Sequence, residues 1–322
     1  MPGDRHAQQW AKVFWFFFSK KNLFLLFLLA ACTPAPDSCA FEKLETIELR
    51  REGSFWAVAA EIDGQRATLM FDTGAGNAAA LSPAAAARLG LRRTGLRFGI
   101  SAGPGAGIQA PVREIRRLAL GRVVLEGVLV PELEAIPRLH GEFDGILGLE
   151  ALDGFDLEMD LPAGTLSFYR RRTCPQGAPP WSGPVAGVRR LPAGETAANR
   201  PFVPARLNGR PAHALLDTGA TDTVVDSALA RAAGAPAAPP RGGETTTMVT
   251  ITDPEVVIWR HGFEVLEVAG ARIRAPRLWI APLGEQPNLV VGQDILAGLR
   301  IWLSAGSGTV HIAPPAPRAP GG

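Results

Sequence analysis

Two stretches of the chain alternate apolar and polar positions around a tight turn and then run into an apolar pair followed by an acid. The first reads "EIDGQRATLMFDTGA" and the second "RLNGRPAHALLDTGA"; aligned, they place Asp63-Gly64 over Asn208-Gly209 and Asp72 over Asp217 at a constant offset of 145. Asp-Gly and Asn-Gly both tolerate positive φ at the centre of a two-residue hairpin, so each copy predicts strand, hairpin, strand, then the acidic triplet. Downstream, "SPAAAARLG" from Ser82 matches "DSALARAAG" from Asp226. Each reads as a capping side chain, a short Ala-rich helix and a terminating glycine, Gly90 and Gly234. The alternating segments "REIRRLALGRVVLEGVLV" and "HGFEVLEVAGARIRAPRLWIA" predict further strands and turns. Finally "DGILGLEAL" matches "NLVVGQDIL", with Gly148 over Gly292 and Leu152 over Leu296, the offset having drifted by one residue.

A repeat of this length predicts two homologous, mainly β lobes, residues 40–172 and 185–314. The Pro- and Gly-rich segment 173–184 joins them, and the tail 315–322 has nothing to pack and is expected to be disordered. The N-terminus follows a different pattern. "SKKNLFLLFLLAAC" sets Lys20 and Lys21 before a nine-residue apolar run, Leu23 to Ala31, which ends at Cys32. Such a run is too short to span a bilayer and has the length of a signal-peptide core, so residues 1–31 are expected to be a signal peptide. Leu29-Ala30-Ala31-Cys32 resembles the lipobox of bacterial lipoproteins. That resemblance implies a lipid on Cys32 and lobes that face the periplasm from the cell envelope. Thr33, in place of the Asp linked to inner-membrane retention, points to the outer membrane.

Composition narrows the classes further. Of 322 residues, 47% are hydrophobic and 20% charged, as in a packed globular protein. Formal charge is +2, carried mostly by scattered Arg with no basic run beside aromatics, which argues against a nucleic-acid partner. Removing residues 1–31 deletes Arg5, Lys12, Lys20, Lys21 and Asp4, leaving 29 basic against 30 acidic groups. The two remaining cysteines, Cys39 and Cys174, flank the first lobe; in an oxidising compartment they either form a disulfide or stay as free thiols. The five His are isolated, without Cys or acidic partners at ligand spacing, so neither metal nor cofactor is expected.

The duplicated motif carries the chemistry. "MFDTGA" is paired with "ILG" at Ile146, Leu147 and Gly148, and "LLDTGA" with "VVG" at Val290, Val291 and Gly292. In this the chain resembles the retropepsin-like and pepsin-like aspartic proteases. The resemblance covers most of the sequence after residue 40, and two copies in one chain imply an intramolecular pseudo-dimer that works as a monomer. It implies two β-barrel lobes about a pseudo-twofold axis, with Asp72 and Asp217 as a catalytic pair acting on a peptide or protein substrate. Peptide hydrolysis without a covalent nucleophile needs one group to take a proton from water and another to give one to the carbonyl oxygen, which two carboxyls sharing a proton can do. Thr73 and Thr218 are expected to hydrogen-bond across the axis, Gly74 and Gly219 to leave the carboxylates uncrowded, and the two apolar-apolar-Gly segments to pack behind the triplets.

Family flaps are expected at residues 98–109 in the first lobe and 241–255 in the second. The lone Tyr, Tyr169, lies outside both, so the Tyr-bearing flap of pepsins is not expected. Ala75 and Ala220 follow the triplets, as in retroviral enzymes, where pepsins carry Ser or Thr. A rival motif, "GISAG" around Ser101, fits a nucleophile elbow but is followed by Pro104, Gly105 and Gly107, which forbid the helix that elbow requires. A second reading stays open: a peptide-binding lipoprotein of the same fold that does not cut.

Overall fold

The computed structural model describes residues 41–100, 107–136, 143–170, 179–181, 186–189, 200–248, 256–284 and 287–313. The signal segment, Cys32, Cys39, Cys174, Ser101, the tail and most of the 173–184 segment lie outside the described residues.

The fold is mainly β, in two similar lobes. In the first, Phe55–Ile62 and Gln65–Asp72 form the expected hairpin, with Asp63 at φ 48° and Gly64 at φ 84° in its turn. In the second, Phe202–Leu207 and Arg210–Leu216 repeat it, with Asn208 at φ 47° and Gly209 at φ 77°. Both turn side chains also act at a distance. Asp63 Oδ1 accepts the Arg117 amide at 2.8 Å and Asn208 Oδ1 that of Val265 at 3.0 Å, so each hairpin is tied to the strands that follow. The capped helices form as predicted: Ser82 caps Pro83–Arg88 through the Ala85 amide, and Asp226 caps Ser227–Ala232 through that of Ala228.

Each hairpin is the middle of a sheet. Gln65–Asp72 pairs parallel with Gly145–Gly148, setting Met70, Phe71 and Asp72 against Ile146, Leu147 and Gly148. Arg210–Leu216 pairs parallel with Leu289–Val291, setting Leu215 and Leu216 against Val290 and Val291. Phe71, Leu147 and Val291 are fully buried, so each acidic triplet emerges from the core at the end of an interior strand.

A third sheet, of six strands, is shared by the two halves. Lys43–Glu48, Thr165–Arg170 and Phe155–Asp160 come from the first half, and Arg300–Ser304, Thr309–Ala313 and Ala186–Arg189 from the second. The halves meet where Leu157 pairs with Leu303 and Asp160 with Arg300. Trp302 is wholly buried there against the rings of Phe41, Tyr169 and Trp181. Tyr169 itself donates to the buried Glu158 at 2.7 Å.

Candidate active site

The two acidic triplets meet where the lobes join, through four hydrogen bonds arranged in pairs. Thr73 N–H donates to Thr218 Oγ1 at 3.0 Å and Thr218 N–H to Thr73 Oγ1 at 3.0 Å. Each hydroxyl in turn donates into the other lobe, Thr73 to the Leu216 carbonyl at 2.7 Å and Thr218 to that of Phe71 at 2.8 Å. Both threonines are buried, so all six polar groups find partners where water cannot supply them. This reciprocal lock holds the adjoining Asp72 and Asp217 face to face.

Close approach demands glycine next to each acid. A Cβ added to Gly74 would fall inside the Asp217 carboxylate, and one added to Gly219 would stand 2.5 Å from Asp72 Cγ. The glycines also supply amides: Gly74 N–H donates to Asp72 Oδ1 and Gly219 N–H to Asp217 Oδ1, both at 2.8 Å, and Ala75 N–H adds a second bond to Asp72 at 3.0 Å. Gly148 and Gly292 are required for another reason. A Cβ on Gly148 would strike the Asn77 carbonyl, and one on Gly292 would lie 2.5 Å from that of Asp222, so each loop rests directly on the strand behind it.

The carboxyls share a hydrogen bond, and each keeps only a partial opening to solvent. Burial first, and then repulsion from Asp217, holds Asp72 well above the ordinary carboxylate range; burial raises Asp217 as well. The pair therefore retains one proton at pH values where separate carboxyls would both be ionised. One charged and one neutral carboxyl at the same spot can act as base and acid in a single step.

These features are the ones on which aspartyl proteases are built, and comparison with protein families agrees. The aspartyl protease family matches residues 58–151 and again 203–295, more than half of the chain and once for each lobe. The chain belongs to the aspartyl protease family. A search of curated proteins gives no match.

At both flap positions expected from the sequence, antiparallel strands pair. Arg92–Ile100 pairs with Ile108–Leu120, closing at Ile100 opposite Ile108, and Thr245–Met248 pairs with Val256–Gly262, closing at Met248 opposite Val256. The hairpin tips lie outside the described residues. The base of the first packs, with Phe55 and Ala75, on an apolar cluster that includes Met70, Ile136 and Phe143; the base of the second packs on Val224, Ile258 and Trp279. Because Ala75 adjoins the Asp72 triplet, the first cluster borders the acidic pair.

Two residues at this site carry no signal in the sequence. Gln293 donates to the Thr218 carbonyl at 2.6 Å and accepts from Arg51 of the first lobe, which bolts the second loop across the lobes. Arg200, beside both aspartates, has a guanidinium whose Nε is buried without a partner. Neither residue type is repeated in the other copy: the residues aligned with them are Leu149 and Phe55. Among the described residues, no group of three or more His, Cys, Asp or Glu stands where it could hold a metal ion.

Proposed function

We propose that the protein is an aspartic endopeptidase in which Asp72 and Asp217 activate one water molecule against a peptide bond. The observation that carries the reading is the pair of partly buried carboxyls held together by the reciprocal threonine lock. The ionised carboxylate takes a proton from the water, whose oxygen attacks the peptide carbonyl carbon. The neutral carboxyl gives its proton to the carbonyl oxygen, leaving a tetrahedral diol between them. Collapse of the diol breaks the C–N bond as the proton just gained passes to the leaving nitrogen and a diol hydroxyl gives its proton to the other carboxylate, which restores the singly protonated pair. The substrate lies extended under the two hairpins, held by main-chain hydrogen bonds, with apolar side chains against the two clusters. One chain supplies both acids, so a monomer is sufficient.

In the same reading the mature protein is anchored by lipid on Cys32 and works in the periplasm, on the outer membrane. Membrane partitioning that survives Cys32→Ser would overturn the anchor without touching the chemistry. For the chemistry, Asp72→Asn and Asp217→Asn are each expected to lower peptide cleavage by at least about a thousandfold, since neither carboxyl alone can give and take a proton. Wild-type protein that binds peptides tightly and cleaves none identifies a peptide-binding protein instead.

A further inference from the structure

The acidic pair is flanked unequally. In the first lobe the hairpin register sets Ala57 against Met70, and two steps further Phe55 falls opposite Asp72. In the second, Phe202 is set against Leu215 and the Leu216 amide donates to the Pro201 carbonyl at 3.2 Å, so Arg200 falls opposite Asp217. Phe55 packs edge-on against Phe143 in the first apolar cluster. The equivalent position in the second lobe is a cation. A symmetric fold thus gives its two acids different neighbours.

Arg200 is poorly satisfied by the protein. Its guanidinium sits 5.3 Å over the Phe202 ring and reaches across to the first lobe, where one terminal nitrogen donates to the Gly74 carbonyl at a long 3.4 Å. Nε is buried without a partner, and among the described residues Arg200 makes no ion pair. A guanidinium has five donors, and the nearby acidic pair offsets its charge without hydrogen-bonding those donors, so burying them is costly unless something else supplies acceptors. The side chain keeps a partial opening to solvent. The two aspartates hold one net negative charge between them, and a substrate lying across them passes within reach of the unused donors.

We propose that Arg200 is a specificity-determining residue that binds a carboxylate of the substrate next to the scissile bond, making this an endopeptidase with a preference for acidic sequence on one side of its cut. The planar fork of guanidinium donors suits a bidentate carboxylate, and the ring of Phe202 beneath it fixes its plane. Phe55 at the mirror position offers no such contact, so the preference falls on one side only. The proposal rests on the proteolytic reading for its kinetic form and on binding alone for its chemistry.

The test uses the full-length protein and acetylated, amidated decapeptides with an apolar pair at the centre and Gln elsewhere, in which Glu replaces Gln one position at a time. At one position kcat/KM is expected to rise about tenfold or more with Glu. Arg200→Met should collapse that ratio to about one, and Arg200→Lys should retain part of it, because the charge remains while the fork is lost. A structural role would lower rates for Glu and Gln peptides alike and leave the ratio unmoved. A companion peptide with a free C-terminal carboxylate in place of the amide tells whether side-chain or terminal carboxylates are bound. Equal rates for Glu and Gln at every position, with no gain from a free terminus, overturn the proposal, as does a preference that survives Arg200→Met. Peptide affinities measured on Asp72→Asn separate the two claims. Discrimination in binding without cleavage by wild type sinks the protease reading alone, and absence of both sinks both.

Discussion

Asp72 shows how a single side chain couples the chemistry to stability. Its carboxyl is raised by burial and by the neighbouring Asp217. A carboxyl whose folded pKa lies above its unfolded one stabilises the fold while protonated; that stability is complete below the unfolded value and is lost as pH rises through the folded value. Asp72→Asn keeps an oxygen for the Gly74 and Ala75 amides and removes the charge. It is therefore expected to melt a few degrees above wild type at pH 7 and level with it near pH 3, below the ordinary value of 3.8. Thermal melts at both pH values check this, and an equal difference at the two would rule out the linkage. In the proteolytic reading the same proton sets the rate profile. Ala75 gives Asp72 only its amide, and neither Ala75 nor Ala220 has a hydroxyl to stabilise the charged form. An optimum in mild acid, about pH 4 to 6.5, is expected, and Ala75→Ser with Ala220→Ser should draw the alkaline limb to lower pH. Initial rates across that range decide it. The acids were legible because they recur in register with their apolar-apolar-Gly partners. Arg200 was not, because a lone Arg before Pro201 has Phe55 at its repeat position and becomes meaningful only when the hairpin register sets it beside Asp217.

The active-site loops are shaped by what their neighbours leave no room for. A methyl group at position 74 or 219 meets the opposite carboxylate, so Gly74→Ala or Gly219→Ala must push the pair apart. Each is expected to cost about 1–3 kcal/mol and, by displacing the acids, at least about a hundredfold in cleavage. Gly262→Ala, where an added Cβ meets nothing within 4 Å, is the matched control and should be near neutral. Thr218→Val removes the hydroxyl that serves Thr73 N–H and the Phe71 carbonyl, leaving two buried groups unpaired. A loss of about 2–4 kcal/mol is expected, most of it restored in Thr218→Ser. Denaturant melts of the two variants check the comparison. The hairpins and helix caps were readable at this scale because their signals are local: a turn pair with positive φ, or a side chain over a free amide. The Gln293 bolt was not, since Leu149 occupies its place in the first copy and the partner Arg51 stands far away in sequence.

At the scale of the molecule, the repeat predicted two lobes but gave no hint that the ends of each half combine. The strands Phe155–Asp160 and Arg300–Ser304 pair across a separation of over a hundred residues, and a pairing so distant leaves no periodic trace along the chain. Its consequence is thermodynamic. Each half contributes three strands to the shared sheet, so neither can complete it alone. At the seam Glu158 is buried and accepts from Tyr169 at 2.7 Å, Trp181 at 3.2 Å and Arg300 Nε at 2.7 Å. Arg300→Met would leave that carboxylate buried among neutral donors with no counter-charge. Removing one member of a buried pair typically costs about 3–5 kcal/mol. If the shared sheet and the threonine lock couple the lobes, calorimetry of the wild type gives one transition, and Arg300→Met moves that whole transition down by roughly 6–15 °C. Lobes that fold independently would instead give two transitions, with the variant shifting only the one that contains the second half, and the acidic pair would then lose its geometry at the lower of the two temperatures.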